Sequence, residues 1–296
     1  MTAAPANGIT IEYDVHGEDD APPMLLVMGL GGQLVGWPDE FVEQLAKAGP
    51  YRVIRYDNRD AGLSTHDTSP PPTRRRMLLS LTSRRWARPA YLVSDMAADG
   101  IGLLDHLGID RAHVLGVSMG GMIAQTMAIE HPARVASLTS IMSNTGDRKH
   151  GKMHRRMLRQ APKLLKREPG EDEVERGVEL FRMISGPHFD EDAQRAMTIA
   201  ALARSNDVDG TSRQMMAIAG SPDRTAGLGQ VRAPALVVHG LLDPLVKPDG
   251  GIATARAIPS ARLVMFPDMA HDLPRPRWDE LFAEIVATTR RADGTT

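Results

Sequence analysis

The chain has 296 residues, 42% of them hydrophobic and 24% charged, with a formal net charge of −2. That length and balance fit one large domain, or one domain with an inserted subdomain, able to bury a core without metals or disulfides. The absence of cysteine excludes disulfides, thiolate metal sites and a cysteine nucleophile together. No stretch approaches the ~18 consecutive apolar residues of a membrane span.

The opening MTAAPANGITIEYDVHG has neither the basic nor the apolar region of a signal peptide. The expectation is a soluble cytoplasmic protein without integral membrane association. Within it, Gly8–Gly17 alternates apolar and polar residues and suits an antiparallel edge strand. Met24–Gly29 (MLLVMG) reads as a buried strand and runs into the glycine-rich turn Gly29-Leu30-Gly31-Gly32. Pro38–Ala48 has helical spacing, and Tyr51–Asp57 (YRVIRYD) is a second buried strand.

Two departures from regular patterning follow. The polar loop Arg55–Thr65 offers Asp57, Arg59 and Ser64 as hydrogen-bonding buttresses, and Ser69–Tyr91 is rich in proline and arginine. Alternation then resumes with a helix at Leu92–Leu107, a strand at Ala112–Ser118 (AHVLGVS), a helix at Met119–Glu130 and a strand at Val135–Ser143. Between about Thr145 and Gln230 there is no convincing strand, only helical periodicity and many methionines. Strands return at Ala233–Gly240 and Ala261–Phe266, with helices at Gly250–Ala257 and Pro276–Arg291.

Short apolar strands alternating with helices predict an α/β fold with a mostly parallel sheet covered by helices on both faces. The expected division is a core of residues 1–144 and 231–296 with a helical cap inserted at 145–230. Ligands of such sheets bind beyond the carboxyl ends of the strands, the edge from which both irregular segments leave.

Gly116-Val117-Ser118-Met119-Gly120 is G-x-S-x-G between a strand and a helix, the context of a nucleophile elbow. A strained turn there lifts the serine hydroxyl clear of the sheet. The following helix aims unpaired N–H groups and its dipole at the site. Such a serine needs a base, and the base an orienting acid, both usually later in the chain. Asp243 follows one late strand and His271 the last, so both would sit at the same sheet edge as Ser118. Asp249, Asp268 and Asp272 are weaker rivals for the acid. The other histidines, including His239 inside a strand, lack a partner pattern. An oxyanion would be held by the N–H groups of Met119 and Leu30. Nothing calls for a metal or organic cofactor. The Gly29–Gly32 run lacks both the lysine of a phosphate-binding loop and the spacing of a dinucleotide loop.

The motifs LLVMGLGGQLVGWPDEF, VIRYDNRDAGLST, HVLGVSMGGMIAQ and MAHDLP together resemble α/β-hydrolases, in particular aclacinomycin methylesterase-like esterases. The likeness spans the core on both sides of the insertion. Most of that fold's members carry His-Gly before the oxyanion loop. This chain has Met28-Gly29, as the methylesterase branch does. The resemblance implies a Ser118–Asp243–His271 triad, an oxyanion hole at Leu30 and Met119, and a small-molecule ester substrate. Alternatives within the same chemistry are lactone, thioester, amide or carbon–carbon hydrolysis, or perhydrolysis. The alternative from another class is a non-catalytic small-molecule binding protein.

Charge is unevenly spread. Arg74–Arg88 holds six arginines and no acid, and Arg148–Arg167 holds nine Lys/Arg and no acid, leaving the rest of the chain at −17. These segments read as solvated helix faces or as a positive collar that attracts anionic substrates or surfaces. No nucleic-acid-binding motif accompanies them. The methionines of 145–230 read equally as ordinary packing or as a soft, adaptable lid.

Overall fold

The computed structural model describes residues 2–164, 170 and 172–294. Residues 165–167 of the basic segment, and 165–169 and 171 of the expected cap, lie outside the described residues. In chain order the first half runs β1 (Thr2–Ala6), β2 (Ile9–His16), β3 (Pro23–Val27), α1 (Asp39–Ala48), β4 (Arg52–Tyr56), α2 (Arg74–Ser80), α3 (Val93–His106), β5 (Ala112–Val117), α4 (Met119–Glu130) and β6 (Val135–Ile141). Among the described residues, five helices follow before the next strand: α5 (Arg155–Leu164), α6 (Glu173–Ile184), α7 (Glu191–Arg204), α8 (Val208–Gly220) and α9 (Thr225–Leu228). The chain closes with β7 (Ala235–Gly240), α10 (Asp249–Ala257), β8 (Ala261–Phe266) and α11 (Trp278–Asp293).

The eight strands form one sheet in the order β1-β2-β4-β3-β5-β6-β7-β8. β1 and β2 are antiparallel, and β4 through β8 are parallel. Two expectations change here. Gly8–Gly17 is the second strand from the edge, because Thr2–Ala6 pairs outside it from Thr2↔Tyr13 to Ala6↔Ile9. TAAPA carries no β-branched alternation and contains a proline, so pattern alone gives no strand there; an edge position tolerates both features. At the opposite edge β8 is only partly covered, with Leu263 exposed, although ARLVMF reads as buried on both faces.

The sheet has a core on each face. One face packs Leu25, Val27, Ile54 and Val114 against α3 and α4; the other packs Leu26, Val53, Leu115 and Leu236 against α1 and α11. Few aromatics exist, and several gather on that second face, where Phe41 of α1 meets Trp278 and Phe282 of α11 edge-on at 5.2 and 5.0 Å between ring centres. α4 is buried on every side from Met119 to Ala128, as a helix apolar all round should be. The helices between β6 and β7 are built differently. Asp172, Asp190 and Asp207 cap α6, α7 and α8 by accepting backbone N–H bonds at their starts. Among the described residues no helix is long and apolar enough to cross a membrane.

Candidate active site

Ser118 stands between β5 and α4 with φ 55° and ψ −117°, a strained backbone for a residue with a side chain. Its N–H donates to Ile141 O of β6 (2.9 Å), which pins the corner to the neighbouring strand. The flanking glycines are a packing requirement. A Cβ on Gly116 would lie 2.0 Å from Gly120 O, and one on Gly120 would lie 2.0 Å from Val27 O. The elbow therefore presses α4 against both β5 and the end of β3, and only hydrogen fits at those two positions.

Three strand ends meet there. His271, five residues past β8 and 8% exposed, bonds in two directions. Its Nδ1 lies 2.8 Å from Asp243 Oδ2 and its Nε2 lies 3.0 Å from Ser118 Oγ. An ionised carboxylate only accepts, so Nδ1 carries the ring proton, and the bare Nε2 accepts from the serine hydroxyl. Asp243, three residues past β7, divides its oxygens. Oδ1 accepts from the N–H groups of Leu245 and Val246 (both 2.8 Å), closing the turn before α10, while Oδ2 meets His271. The turn role and the partner role thus coexist in one side chain.

Burial pushes the Asp243 carboxyl up. The opposing pull of the His271 charge and of hydrogen bonds from His239 and His271 is larger and holds it at about 2. His239, fully buried in β7, points its Nε2 at Val246 O (2.8 Å) and at Asp243 Oδ2 (3.3 Å). Facing two acceptors, Nε2 carries the proton, and Nδ1 is left buried without a hydrogen-bond partner. Sequence reading set His239 aside as a strand histidine. The signal was its spacing, four residues before Asp243 across the strand end.

The rival acids are engaged elsewhere. Asp249 accepts from Gly151 N–H (2.9 Å). Asp268 pairs with Arg277 and His188, which hold its carboxyl below the usual range. Asp272 accepts from the N–H groups of Ala270 (2.9 Å) and Gly186 (3.0 Å), and burial raises its pKa.

The loop after β3 runs beside the serine: a Cβ on Gly29 would sit 3.3 Å from Ser118 Cβ. Asn58 Nδ2 donates to Met28 O (2.9 Å) and Gly31 N–H donates to Gln214 Oε1 (2.8 Å). Gly31 has φ 67° and packs against Thr211 so closely that a Cβ would meet its Oγ1 at 2.8 Å. Gln214, fully buried in α8, also donates from Nε2 to Arg59 O (2.7 Å). Among the described residues, the N–H groups of Leu30 and Met119 have no acceptor. Met119 directly follows Ser118, and Leu30 directly follows Gly29, whose backbone packs beside the serine.

In the polar loop after β4, Asp57, Arg59 and Ser64 are all engaged. Asp57 accepts from Leu34 N–H (2.6 Å) and Leu63 N–H (2.9 Å) and pairs with Arg204 at the end of α7. Ser64 Oγ donates to Asp57 O (2.6 Å), and Arg59 pairs with buried Asp99. One cluster among the described residues, Asp60, His66 and Asp207, brings potential metal-ligand atoms within 4.8 Å of one another. Arg213 already pairs with both carboxylates (2.8 and 3.3 Å) and Tyr91 donates to Asp60 (2.5 Å), so the protein supplies the neutralising cation itself.

Comparison with known proteins agrees with this architecture. Residues 22–274 match the family model described as the alpha/beta hydrolase fold. Rhodomycin D methylesterase DauP of Streptomyces sp. (strain C5) is 30% identical, the alignment covering 96% of each chain. Rhodomycin D methylesterase DnrP of Streptomyces peucetius is 29% identical over the same share of both. The crystal structure of the enol-lactonase from Burkholderia xenovorans LB400 superposes with a TM-score of 0.73 at 24% identity, covering 97% of this chain and 99% of that one. A nearly full-length family match, a parallel sheet with one antiparallel edge, and a serine at the sharpest turn of that sheet lead to one conclusion: this chain belongs to the α/β hydrolase family.

Proposed function

We propose that this protein is a serine hydrolase that cleaves carboxylic esters, with Ser118 as nucleophile, His271 as general base and acid, and Asp243 as the group that orients and stabilises the imidazolium. The observation that carries this reading is the unbroken chain Ser118 Oγ–His271–Asp243 at 3.0 and 2.8 Å. Relatives whose names state methyl-ester cleavage favour an ester with a small alcohol as leaving group.

In the proposed reaction Ser118 Oγ attacks the ester carbonyl carbon as its proton passes to His271 Nε2. The carbonyl oxygen gathers negative charge and is met by the N–H groups of Leu30 and Met119, assisted by the N-terminal dipole of α4. Collapse breaks the C–O bond, and His271 gives its proton to the departing alkoxide. Water, deprotonated by the same nitrogen, then attacks the acyl-enzyme and frees Ser118. Asp243, ionised at any pH above about 2, accepts from Nδ1 throughout and keeps Nε2 aimed at the serine. We assign α5–α9 the part of a cap over this site. Its helices touch the oxyanion loop through Gln214 and the histidine loop through Ile184 O, which accepts from His271 N–H (2.9 Å).

The test compares hydrolysis of p-nitrophenyl esters from acetate to decanoate by wild type and Ser118→Ala. Serine-dependent turnover supports the assignment, and equal turnover in both proteins overturns it. A fluorophosphonate probe that labels Ser118 without any ester turnover points instead to a narrow specialist.

A further inference from the structure

The two basic segments, far apart in sequence, lie against each other in space. Arg148 donates to Ser80 O (3.1 Å) and to Leu81 O, and Arg84 donates to Gly146 O. Their joined surface is cationic: Arg74, Arg75, Arg85, Arg88, Arg148, Lys149 and Lys152 are all exposed. It is also apolar. Leu81 (70% exposed) and Leu78 (66%) are the two most exposed large hydrophobic side chains among the described residues, and Trp86 joins them. Arg74 and Leu78 of α2 fall four residues apart, and Leu81, which caps the end of α2 with helical backbone, falls three residues beyond Leu78, so cation and leucines share one face. Met77 and Ser80 turn inward.

A face of this composition is poorly solvated alone and fits a surface that offers negative charge at the plane where apolar side chains can sink. We propose that the face formed by α2, Trp86 and residues 148–152 docks peripherally on an anionic lipid bilayer. Leu78, Leu81 and Trp86 enter the acyl boundary, and the surrounding arginines and lysines meet phosphate headgroups. Charge complementarity selects this occupant: apolar insertion alone would not need seven exposed cations, and a soluble polyanion would not need three exposed apolar side chains. The chain that carries Arg148, Lys149 and Lys152 runs on toward the site, where His154 N–H donates to Pro244 O (2.8 Å), next to Asp243.

The experiment is flotation of the full chain with vesicles of phosphatidylcholine alone and of phosphatidylcholine mixed with phosphatidylglycerol. Trp86 emission is followed in wild type and Trp86→Phe. The expected result is binding only to the mixed vesicles, with a blue shift that Trp86→Phe lacks. Partitioning should fall at least tenfold both in Leu78→Gln/Leu81→Gln and in Arg74→Gln/Arg75→Gln. Because these residues stand outside the catalytic machinery, hydrolysis of a short soluble ester by the variants should match wild type, which also shows that they fold. Absence of binding to the mixed vesicles overturns the proposal. So does equal binding by the leucine variant, or heparin binding that matches vesicle binding in strength, since either marks a general cation surface. The readout is binding, so it stands or falls independently of the ester-hydrolase assignment.

Discussion

The two sides of the site are held in different ways. On the side of the proposed nucleophile, Ser118 is fixed by its immediate neighbours: Gly116 and Gly120 admit β5, α4 and the end of β3 to within van der Waals distance, and Ile141 O takes the serine N–H. On the oxyanion side, the Leu30 loop is held by residues far along the chain. Gln214 binds Gly31 N–H from 183 positions away, and Gln33 Nε2 donates to Ala201 O and Ser205 O (both 2.9 Å) of the α7 end. The proposed nucleophile is thus held by local sterics, whereas the loop bearing Leu30 depends on helices inserted between β6 and β7. Damage to the first should abolish function or folding; damage to the second should detune it.

The largest effect belongs to the hydrogen-bonded chain. Ser118→Ala and His271→Ala are each expected to lower kcat by about 10⁶, with no further loss in the double variant, because they act as one unit. Asp243→Asn should lose about 10⁴, since an amide can hold the wrong tautomer of His271. Steady-state kinetics on one p-nitrophenyl ester checks all four proteins. Additive losses in the double variant would show that the serine and histidine do not act together.

Next comes the steric claim at the elbow. In an ordinary helix Gly→Ala stabilises by roughly 0.5–1 kcal/mol. At Gly120 the new Cβ would meet Val27 O at 2.0 Å and Met28 O at 2.7 Å, both backbone atoms that cannot swing away. Gly120→Ala should therefore destabilise by about 3 kcal/mol or more, lowering Tm by roughly 10 °C. Thermal denaturation that shows an unchanged or higher Tm would remove the close-packing account of G-x-S-x-G.

Acid lability is smaller. Asp243 is held at about 2 in the folded chain, below the ordinary 3.8, so its contribution is fully present above about pH 4 and is lost as pH falls toward 2. At about 1.4 kcal/mol per pH unit, that is of order 2–3 kcal/mol. Urea unfolding at pH 6 and pH 3 should show part of this loss in wild type and less of it in Asp243→Asn.

What could be read beforehand follows the same division. The elbow was legible because its constraint is written within five residues, and Asp243 and His271 because each follows a strongly apolar strand. β1 was not legible, since TAAPA becomes a strand only by pairing with β2. His239 was hidden by its strand position, and its role emerges only when the β7 turn folds Asp243 back toward it. Gln214 carried no signal at all. A glutamine in an amphipathic helix reads as surface, and only the docking of α8 on the oxyanion loop makes it buried and fully bonded.

That docking makes Gln214 the sharpest test of the oxyanion side. Gln214→Met keeps the volume but leaves Gly31 N–H and Arg59 O without partners. Gly31 sits next to Leu30, so freeing it lets the oxyanion donor drift. Removing such a donor outright reduces rate by about 10²–10³, so loosening it should reduce kcat by about 10–10². KM should change little, because the donor meets charge that exists only in the transition state. A trifluoromethyl ketone, which mimics that charge once Ser118 adds to it, should lose affinity by the same factor as kcat. If Gln214→Met only weakened the fold, Tm would fall while kcat and ketone affinity of the folded fraction held steady. That outcome would return the inserted helices to a scaffolding role and leave both sides of the site governed by local contacts alone.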